Sequence, residues 1–575
     1  MRILLLCSAF NGLSQRAWHA LRARGHHVTV RTVHDPRDIA TAAAAADPEL
    51  IVCPFLRQRV PEVVWRSHRT IIIHPGPEGD RGPSALDWAI MDGEPTWGVT
   101  ALQATGDLDS GPVWGTRTFR MPSDPPRKST LYNTEVSDAA LSLIREVAAK
   151  AEDPGFTPRP QRQRPGAVRP LVRQADRAFS WADPTGHILR RIRAADGRPG
   201  VHTELAGVPV AVFDAHPGDA PPGEPGTVVA RRQDAVLVRT GDGALWIGQA
   251  RRLAPEAPGT TVKLPAALAL GDGVSGVPQI AGPPELREIG YRRVGKVGWL
   301  RFAFYNGAMS TTQCRRLTAA VRHAAAQDTA VLVLAGGEVF SNGLHLGVID
   351  AHPAPAAEAW RNITAIDDVC REIIGCTRQL VVCALGGDAG AGGVMLALGA
   401  DRVIARNGVL LNPHYRKMGL YGSEYWTYVL PRRVGDERAQ RLTTDCEPVT
   451  AAEAAAMGLV DQLAPAGRDG FAEAVLAYAT DLAGSGRARA LLRRKRAVRE
   501  ADEHRRPLET YRVRELAEMS HDIFDDRHGF ARARRAFLTG RPAGGPGRDH
   551  PPVRGGVTRT LTGVTFSPSR ARDMP

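Results

Sequence analysis

Lysine is almost missing from this chain. Only six of its 74 basic residues are lysines, so arginine carries most of the formal charge of +13. An arginine-heavy, alanine-rich composition follows from GC-rich coding, so basicity alone is no signature of nucleic-acid binding. The excess is also local: residues 151–200 carry net +5, 487–535 net +6 and 541–575 net +4, leaving the remainder slightly acidic. That pattern argues against a general polyanion-binding coat, and no nucleic-acid partner is expected. Long hydrophobic runs are missing as well. None approaches the roughly 18–20 apolar residues of a membrane span, so no membrane partner is expected. The opening MRILLLCSAF is followed at once by Asn11, Ser14, Gln15 and Arg16, and reads as a first β-strand rather than a leader. The seven cysteines are odd in number and contain no C-x-x-C pair. This excludes a disulfide framework and a zinc site, and points to reduced, mostly buried thiols in a cytoplasmic protein without a metal. Finally, the first strand-to-helix turn, Ser8 to Gly12, lacks G-x-G-x-x-G, so Asp35 after the second strand is not read as a ribose-binding acid.

What is present is enough chain for three or four domains at roughly 100–200 residues each, with 43% hydrophobic residues to fill their cores. Strand and helix patterns alternate through the first 150 residues: Arg2–Cys7, Val28–Val33, Glu49–Phe55 and Thr70–His74 read as strands, Gln15–Ala23 and Ser84–Met91 as helices. That order predicts a parallel sheet with crossover helices. Residues 156–175, rich in Pro, Arg and Gln, read as a linker. Short β runs between 176 and 265, two of them joined by Gly241-Asp-Gly243, predict a small barrel of the OB type. A second linker covers 266–290, and α/β patterning returns over 291–540, with strands at Val294–Phe304, Ala330–Ala335 and Leu380–Leu385 and helices dominating from Glu437. The tail 541–575 is Pro/Gly/Arg-rich and is expected to be disordered. The fold class is therefore α/β multidomain.

Two segments carry chemistry. In the first, His74 ends a strand and is followed by a Gly/Pro loop and a helix, the edge of an open α/β sheet where ligands bind. A downstream tight loop, Gly106-Asp-Leu-Asp109-Ser-Gly111, supplies carboxylates. A His and an Asp from neighbouring loops suit acid–base work, the carboxylate supporting the imidazole as it gains a proton.

The array His74…Arg81-Gly82…Trp88-Ala-Ile90…Gly98-Val-Thr…Leu108-Asp109-Ser-Gly111 resembles the folate-dependent formyltransferase family. Asp176-Arg177…Trp181 and the strands after it are similar to the C-terminal barrel of methionyl-tRNA formyltransferases. The likeness implies that His74 and Asp109 assist attack on the formyl group of 10-formyltetrahydrofolate, with Ile72, Arg81 and Gly82 on the folate. One departure stands out: the transferases have Asn two residues before the His, and this chain has Ile72. The hydrolase domain of 10-formyltetrahydrofolate dehydrogenase also has Ile there. Loss of such an oxyanion donor is worth about 3 kcal/mol, which favours an acceptor other than an amine.

The second segment pairs two glycine turns. Val331–Leu346 is an apolar strand entering Phe340-Ser-Asn342-Gly-Leu-His345, and Ala384–Leu396 holds Gly386, Gly387, Gly390, Gly392 and Gly393 before a helix. Such turns can aim backbone N–H groups at one carbonyl, although either alone serves equally well for tight packing. Together they resemble the crotonase (enoyl-CoA hydratase/isomerase) superfamily. Asn342 and Gly392 align with its oxyanion-hole amides, while Phe340, Ser341, Asn342 and Arg534 are implied coenzyme A contacts. The hydratase glutamates are replaced by Met395 and His414, which discourages hydration. Glu424 and Tyr415 are the expected proton-handling pair.

A formyl-folate half fused to a CoA-thioester half resembles the HypX-type hydrogenase maturation factors. That resemblance implies formyl transfer from 10-formyltetrahydrofolate to CoA and then decarbonylation to carbon monoxide for [NiFe] hydrogenase assembly, with an internal passage between the pockets. Two other readings stay open on the residues: a 10-formyltetrahydrofolate hydrolase or tRNA formyltransferase with a non-catalytic second half, and a folate/CoA-binding assembly scaffold.

Overall fold

The computed structural model describes residues 1–162, 168–257, 259–283, 286–464 and 467–540. The expected disordered tail at 541–575 lies outside them.

The first domain grows from its buried apolar strands. β1 (Arg2–Cys7), α1 (Gly12–Arg22), β2 (His27–Thr32), α2 (Pro36–Ala46), β3 (Leu50–Phe55), α3 (Glu62–Ser67) and β4 (Thr70–His74) alternate, with β1 to β4 parallel. α4 (Ala85–Asp92) follows, and then β5 (Thr96–Gln103) and β6 (Val113–Arg120) complete the order β2-β1-β3-β4-β5-β6. β5 pairs antiparallel with both β4 and β6, so it alone runs against the other five strands, which corrects the expectation of a wholly parallel sheet. No crossover helix separates β5 from β6, only the tight loop 104–112, so the chain must reverse direction. Asp35 is the N-cap of α2, accepting from the Arg37 N–H at 2.8 Å, a capping role for an acid at that position.

The 156–175 stretch is not a free tether. Among its described residues Arg159 bridges to Val113 and Val168 to Arg81, so both described ends are tied to the first domain. The middle domain is an antiparallel path β7-β8-β11-β10-β9, from β7 (Val201–Leu205), β8 (Val208–Gly218), β9 (Val228–Arg232), β10 (Ala235–Arg239) and β11 (Ala244–Arg252). Among the described residues its end strands are not hydrogen-bonded to each other, as in a partly open five-stranded barrel. Ala266, Ala269, Leu270 and Val274 are buried in its core, so the start of the expected 266–290 linker belongs to this domain. Their apolar spacing on a short helix, Ala266–Leu270, explains why.

Among the described residues the third domain holds two main sheets and a two-stranded ribbon of Ala308–Met309 with Gly343–Leu344. The larger runs Ile289–Val294, Val297–Phe302, Val331–Ala335, Leu380–Leu385, Arg402–Arg406 and Gln462–Ala464, parallel after the first hairpin. That hairpin replaces the single strand expected at Val294–Phe304, because Gly295 (φ +57°) turns the chain between Val294 and Val297. The smaller sheet runs Val339–Ser341, Asp388–Gly390, Leu410–Asn412 and Val449–Thr450. Three times in succession the chain leaves a long strand of the first sheet and enters a short strand of the second. Side-chain burial on both faces of Val331–Ala335 and Leu380–Leu385 matches their continuous apolar sequence. Six helices from Asp436 to Thr539 close the C-terminal side.

Candidate functional site

His74 stands at the C-terminal end of β4, buried, and β4 carries Ile72 on the same face because strand side chains alternate. Ile72 packs against the core formed by α2 and α3, so no polar donor occupies that position. The loop after His74 doubles back on it. Gly76 permits this: a Cβ there would lie 2.4 Å from Asp80 Oδ2 and 2.5 Å from His74 Nε2. Asp80 Oδ2 thus reaches His74 Nε2 at 2.9 Å, while Asp109 Oδ2 stands 3.5 Å from Nδ1. Asp109, in the left-handed region at φ +50°, also accepts the Gly82 N–H at 3.2 Å. Gly82 itself sits at φ +126°, where a Cβ would strike the Arg169 carbonyl at 2.1 Å. Arg81 donates to Gln161 Oε1 at 3.2 Å, and Gln161 Nε2 donates to the Asp109 carbonyl at 3.1 Å, so linker residues wall the site. Burial draws the imidazole pKa down, but the Asp80 hydrogen bond and the charges of Asp109 and Asp80 outweigh it, and the net shift is upward. His74 is held toward the imidazolium form.

The smaller sheet brings the two glycine turns together, since Val339 pairs with Asp388 and Ser341 with Ala389. Turns some fifty residues apart in sequence become neighbours. The expected pair of amides is only half available, however. The Asn342 N–H donates to Gly307 O at 2.7 Å and cannot serve as an oxyanion donor in this conformation. The cause is Gly307, whose φ of +70° turns its carbonyl to the turn. Gly392 begins the helix Gly392–Leu398, where an N–H has no partner within the helix. Against it lies Glu424: a Cβ on Gly392 would be 1.9 Å from Glu424 Oε1. The other carboxyl oxygen accepts from Tyr415 OH at 2.9 Å and from the Ser423 N–H at 3.1 Å. The expected Glu424–Tyr415 pair therefore sits together, both buried.

Glu424 and Tyr425 are consecutive non-glycine residues with φ of +60°, a conformation L-residues avoid. Two carboxylates hold it. Asp367 accepts the Glu424 N–H at 2.8 Å and both its oxygens take the Ser423 hydroxyl, at 2.8 and 2.9 Å. Glu515 accepts the Tyr425 and Thr427 N–H groups, each at 2.8 Å. Arg512 Nε stands 3.7 Å from Asp367. Burial, reinforced by the charge of Asp367, raises the Glu424 pKa to about 8, and burial raises that of Asp367 to about 7. Neither Asp367 nor Glu515 was legible as a site residue, for each is an acid on a mostly amphipathic helix.

These raised values fix a stability trend. A carboxyl whose folded pKa exceeds its unfolded value stabilises fully below about pH 4.5 and loses that contribution as pH rises through about 8. Glu424→Gln should therefore flatten the fall in unfolding free energy between pH 5 and 9 by a few kcal/mol, as read by urea denaturation across that range. An unchanged slope means that Glu424 is ionised throughout.

Between the halves lies a chamber of about 730 Å³, touched by all three domains. Gly12, Gln15 and Arg16 of α1 line one side, and Asn342 of the first glycine turn, Gly390 of the second, and Asn412 and His414 at the end of the strand Leu410–Asn412 line another. Arg127 spans the junction: it pairs with Asp214 at 3.0 Å and Asp196 at 3.7 Å in the barrel domain, and with Glu338 at 3.0 Å in the third. Arg16 grips Asp388 at 2.7 and 2.8 Å, tying α1 to the strand that carries the second turn. Asn412, Arg232 and Arg468 also line the chamber, and Asn412 Oδ1, Arg232 Nε and Arg468 Nε are buried polar atoms without a hydrogen-bond partner. β1 and β4 end on the same sheet edge with only β3 between them, so His74 lies roughly 10 Å along that edge from the end of β1.

Of the expected coenzyme contacts, Asn342 alone lines this chamber. Phe340 faces the core, its ring 5.2 Å from that of Phe302. Ser341 is buried and its hydroxyl takes the Gly343 N–H at 3.0 Å. Arg534 is committed to Asp350 at 3.2 Å, a buried acid on the helix after the first turn. All seven cysteines are buried and free, and among the described residues no His/Cys/Asp/Glu group is arranged to hold a metal ion. No described helix is long and apolar enough to cross a membrane.

Comparison with known proteins matches both halves. Residues 305–542 match the enoyl-CoA hydratase/isomerase family and residues 171–257 the formyl transferase C-terminal domain. Hydrogenase maturation factor HoxX of Bradyrhizobium diazoefficiens is 43% identical over 543 residues, 94% of each chain. The crystal structure of HypX from Aquifex aeolicus in complex with tetrahydrofolic acid superposes with a TM-score of 0.90 at 39% identity, over 94% of this chain and 96% of that one. A methionyl-tRNA formyltransferase from Roseiflexus sp. is 30% identical over 235 residues, 39% of this chain and 70% of that protein.

Proposed function

This chain belongs to the HypX-type hydrogenase maturation factors, and on that footing we propose that it makes carbon monoxide in two steps, with coenzyme A as the recycled carrier. In the first, His74 and its carboxylates assist transfer of the formyl group of 10-formyltetrahydrofolate to the CoA thiol. The S–C bond forms, the C–N10 bond breaks, and the thiol proton reaches N10 through the His74 cluster. In the second, Glu424 Oε1 takes the formyl proton, the C–S bond breaks to release CO, and Glu424 returns the proton to the thiolate. Atoms and charge balance, and CoA is regenerated.

The observation that carries this reading is Glu424: a buried carboxyl whose Oε2 is held by Tyr415 and whose Oε1 packs against Gly392, at the start of the helix after the second glycine turn. A raised pKa makes it a stronger base than an ordinary carboxylate. Shielding matters because water would divert a formyl thioester to formate. The chamber suits CoA in size, and the guanidinium groups of Arg232 and Arg468 on its lining give it the positive charge that phosphates need. The free buried thiols support a reducing, cytoplasmic setting. On this reading the CO passes to [NiFe] hydrogenase assembly proteins, in keeping with a hydrogenase maturation factor.

Incubation with 10-formyltetrahydrofolate, with and without CoA, and capture of gas on haemoglobin tests the proposal. CO that requires both substrates is the expected result. Formate alone would make the protein a formyltetrahydrofolate hydrolase, the reading Ile72 favours next, and no turnover would make it a binding scaffold.

A further inference from the structure

His74 has two ring nitrogens, and the structure gives them unequal partners. Nε2 meets Asp80 Oδ2 at 2.9 Å, a full hydrogen bond between two buried side chains. Nδ1 stands 3.5 Å from Asp109 Oδ2, beyond hydrogen-bond length, and Asp109 spends that oxygen on the Gly82 N–H. An ionised carboxylate only accepts, so Nε2 carries the proton shared with Asp80. Nδ1, on the Asp109 side, is then the nitrogen left without a full hydrogen bond and able to exchange a proton with a substrate.

We propose that Asp80 is the residue that orients His74, fixing its Nε2–H and directing Nδ1 to the reacting formyl group, while Asp109 faces the substrate rather than steering the ring. This rests on the transfer step proposed above and redistributes the work within it. The local sequence is built for the contact. Gly76 clears the space in which Asp80 and the ring meet, and Gly79, at φ +89°, turns the loop so that Asp80 returns to the strand end. Thr100 of β5 pins the same loop by donating to the Gly76 carbonyl at 2.9 Å. The other charges nearby are committed elsewhere. Glu78 is bound by Arg159, at 2.5 and 2.6 Å, and Arg81 by Gln161. Asp80 from its own loop and Asp109 from the loop after β5 are the charged groups that face the ring. Two carboxylates also hold the ring cationic, so an imidazolium N–H stands ready to stabilise the developing oxyanion where Ile72 offers no donor.

The test is Asp80→Asn, which keeps shape and removes charge. Transfer, followed as tetrahydrofolate release, should fall on the order of 100-fold, with the Kd for tetrahydrofolate unchanged. In ¹⁵N-histidine-labelled protein without substrate, the His74 Nε2–H resonance should be present in the wild type and in Asp109→Asn. In Asp80→Asn, His74 should lose its proton at lower pH than in the wild type. A variant with turnover within threefold of wild type and an unmoved His74 titration overturns the proposal. So does loss of tetrahydrofolate binding, which would make Asp80 a scaffold for the loop. If the wild-type protein releases no formyl group, the transfer reading fails by itself, and the resonance of Nε2 still decides what Asp80 does to the ring.

Discussion

Glu424→Ala is expected to abolish CO formation, with a loss on the order of 100- to 10,000-fold, while formyl release from 10-formyltetrahydrofolate continues. The asymmetry follows from place. Glu424 lies in the third domain, held by Ser423, Tyr415 and Asp367, and none of these touches the His74 cluster. The fold around it should survive, because its strained backbone is clamped through main-chain N–H groups by Asp367 and Glu515, and the carboxyl adds only the Ser423 N–H contact at 3.1 Å. Truncation leaves Tyr415 OH without its acceptor, at about 1–3 kcal/mol. Glu424→Gln keeps that partner and serves as the control for shape. Haemoglobin capture of CO read beside tetrahydrofolate release checks the split; parallel loss of both activities would show that the two steps are not separable in this way.

His74→Ala should remove formyl release by a similar factor and CO with it, since the second step then has no substrate. The sharper result comes from mixing. His74→Ala keeps Glu424, and Glu424→Ala keeps His74, so a formyl thioester that leaves one molecule for another would restore CO in the mixture. Tethering of both clusters within one chain argues for no restoration: Arg127 and Arg16 tie the folate domain to the strands that carry the glycine turns. Mixed variants that regain a substantial share of wild-type CO would mean that the intermediate diffuses through solvent. Supplying formyl-CoA directly to His74→Ala should restore CO in either case, which shows that its second site is intact.

Much of this was written locally. His74 closes the five-residue strand Thr70–His74, and the strand's end falls where the sequence put it, because a buried strand is defined by its own run of side chains. The glycine turns were legible for the same reason, since glycine marks close approach of backbone. The Glu424–Tyr415 pair came from a family alignment and not from periodicity. Arg534 shows the limit of reading charge from sequence: it lies in the most basic stretch, yet its guanidinium is neutralised by Asp350, 184 residues away.

By itself, then, the sequence determined the three-part architecture, the histidine at the edge of the first sheet and the two turns of the third domain, because each depends on short-range pattern. Tertiary structure alone decided which nitrogen of His74 meets which carboxylate, that Asn342 spends its amide on Gly307, and that Asp367 and Glu515 hold Glu424 in place from 57 and 91 residues away in the chain. The reason is physical. A hydrogen bond selects its partner over a few tenths of an ångström, and such distances are set by how whole sheets and helices pack, which no local run of residues contains.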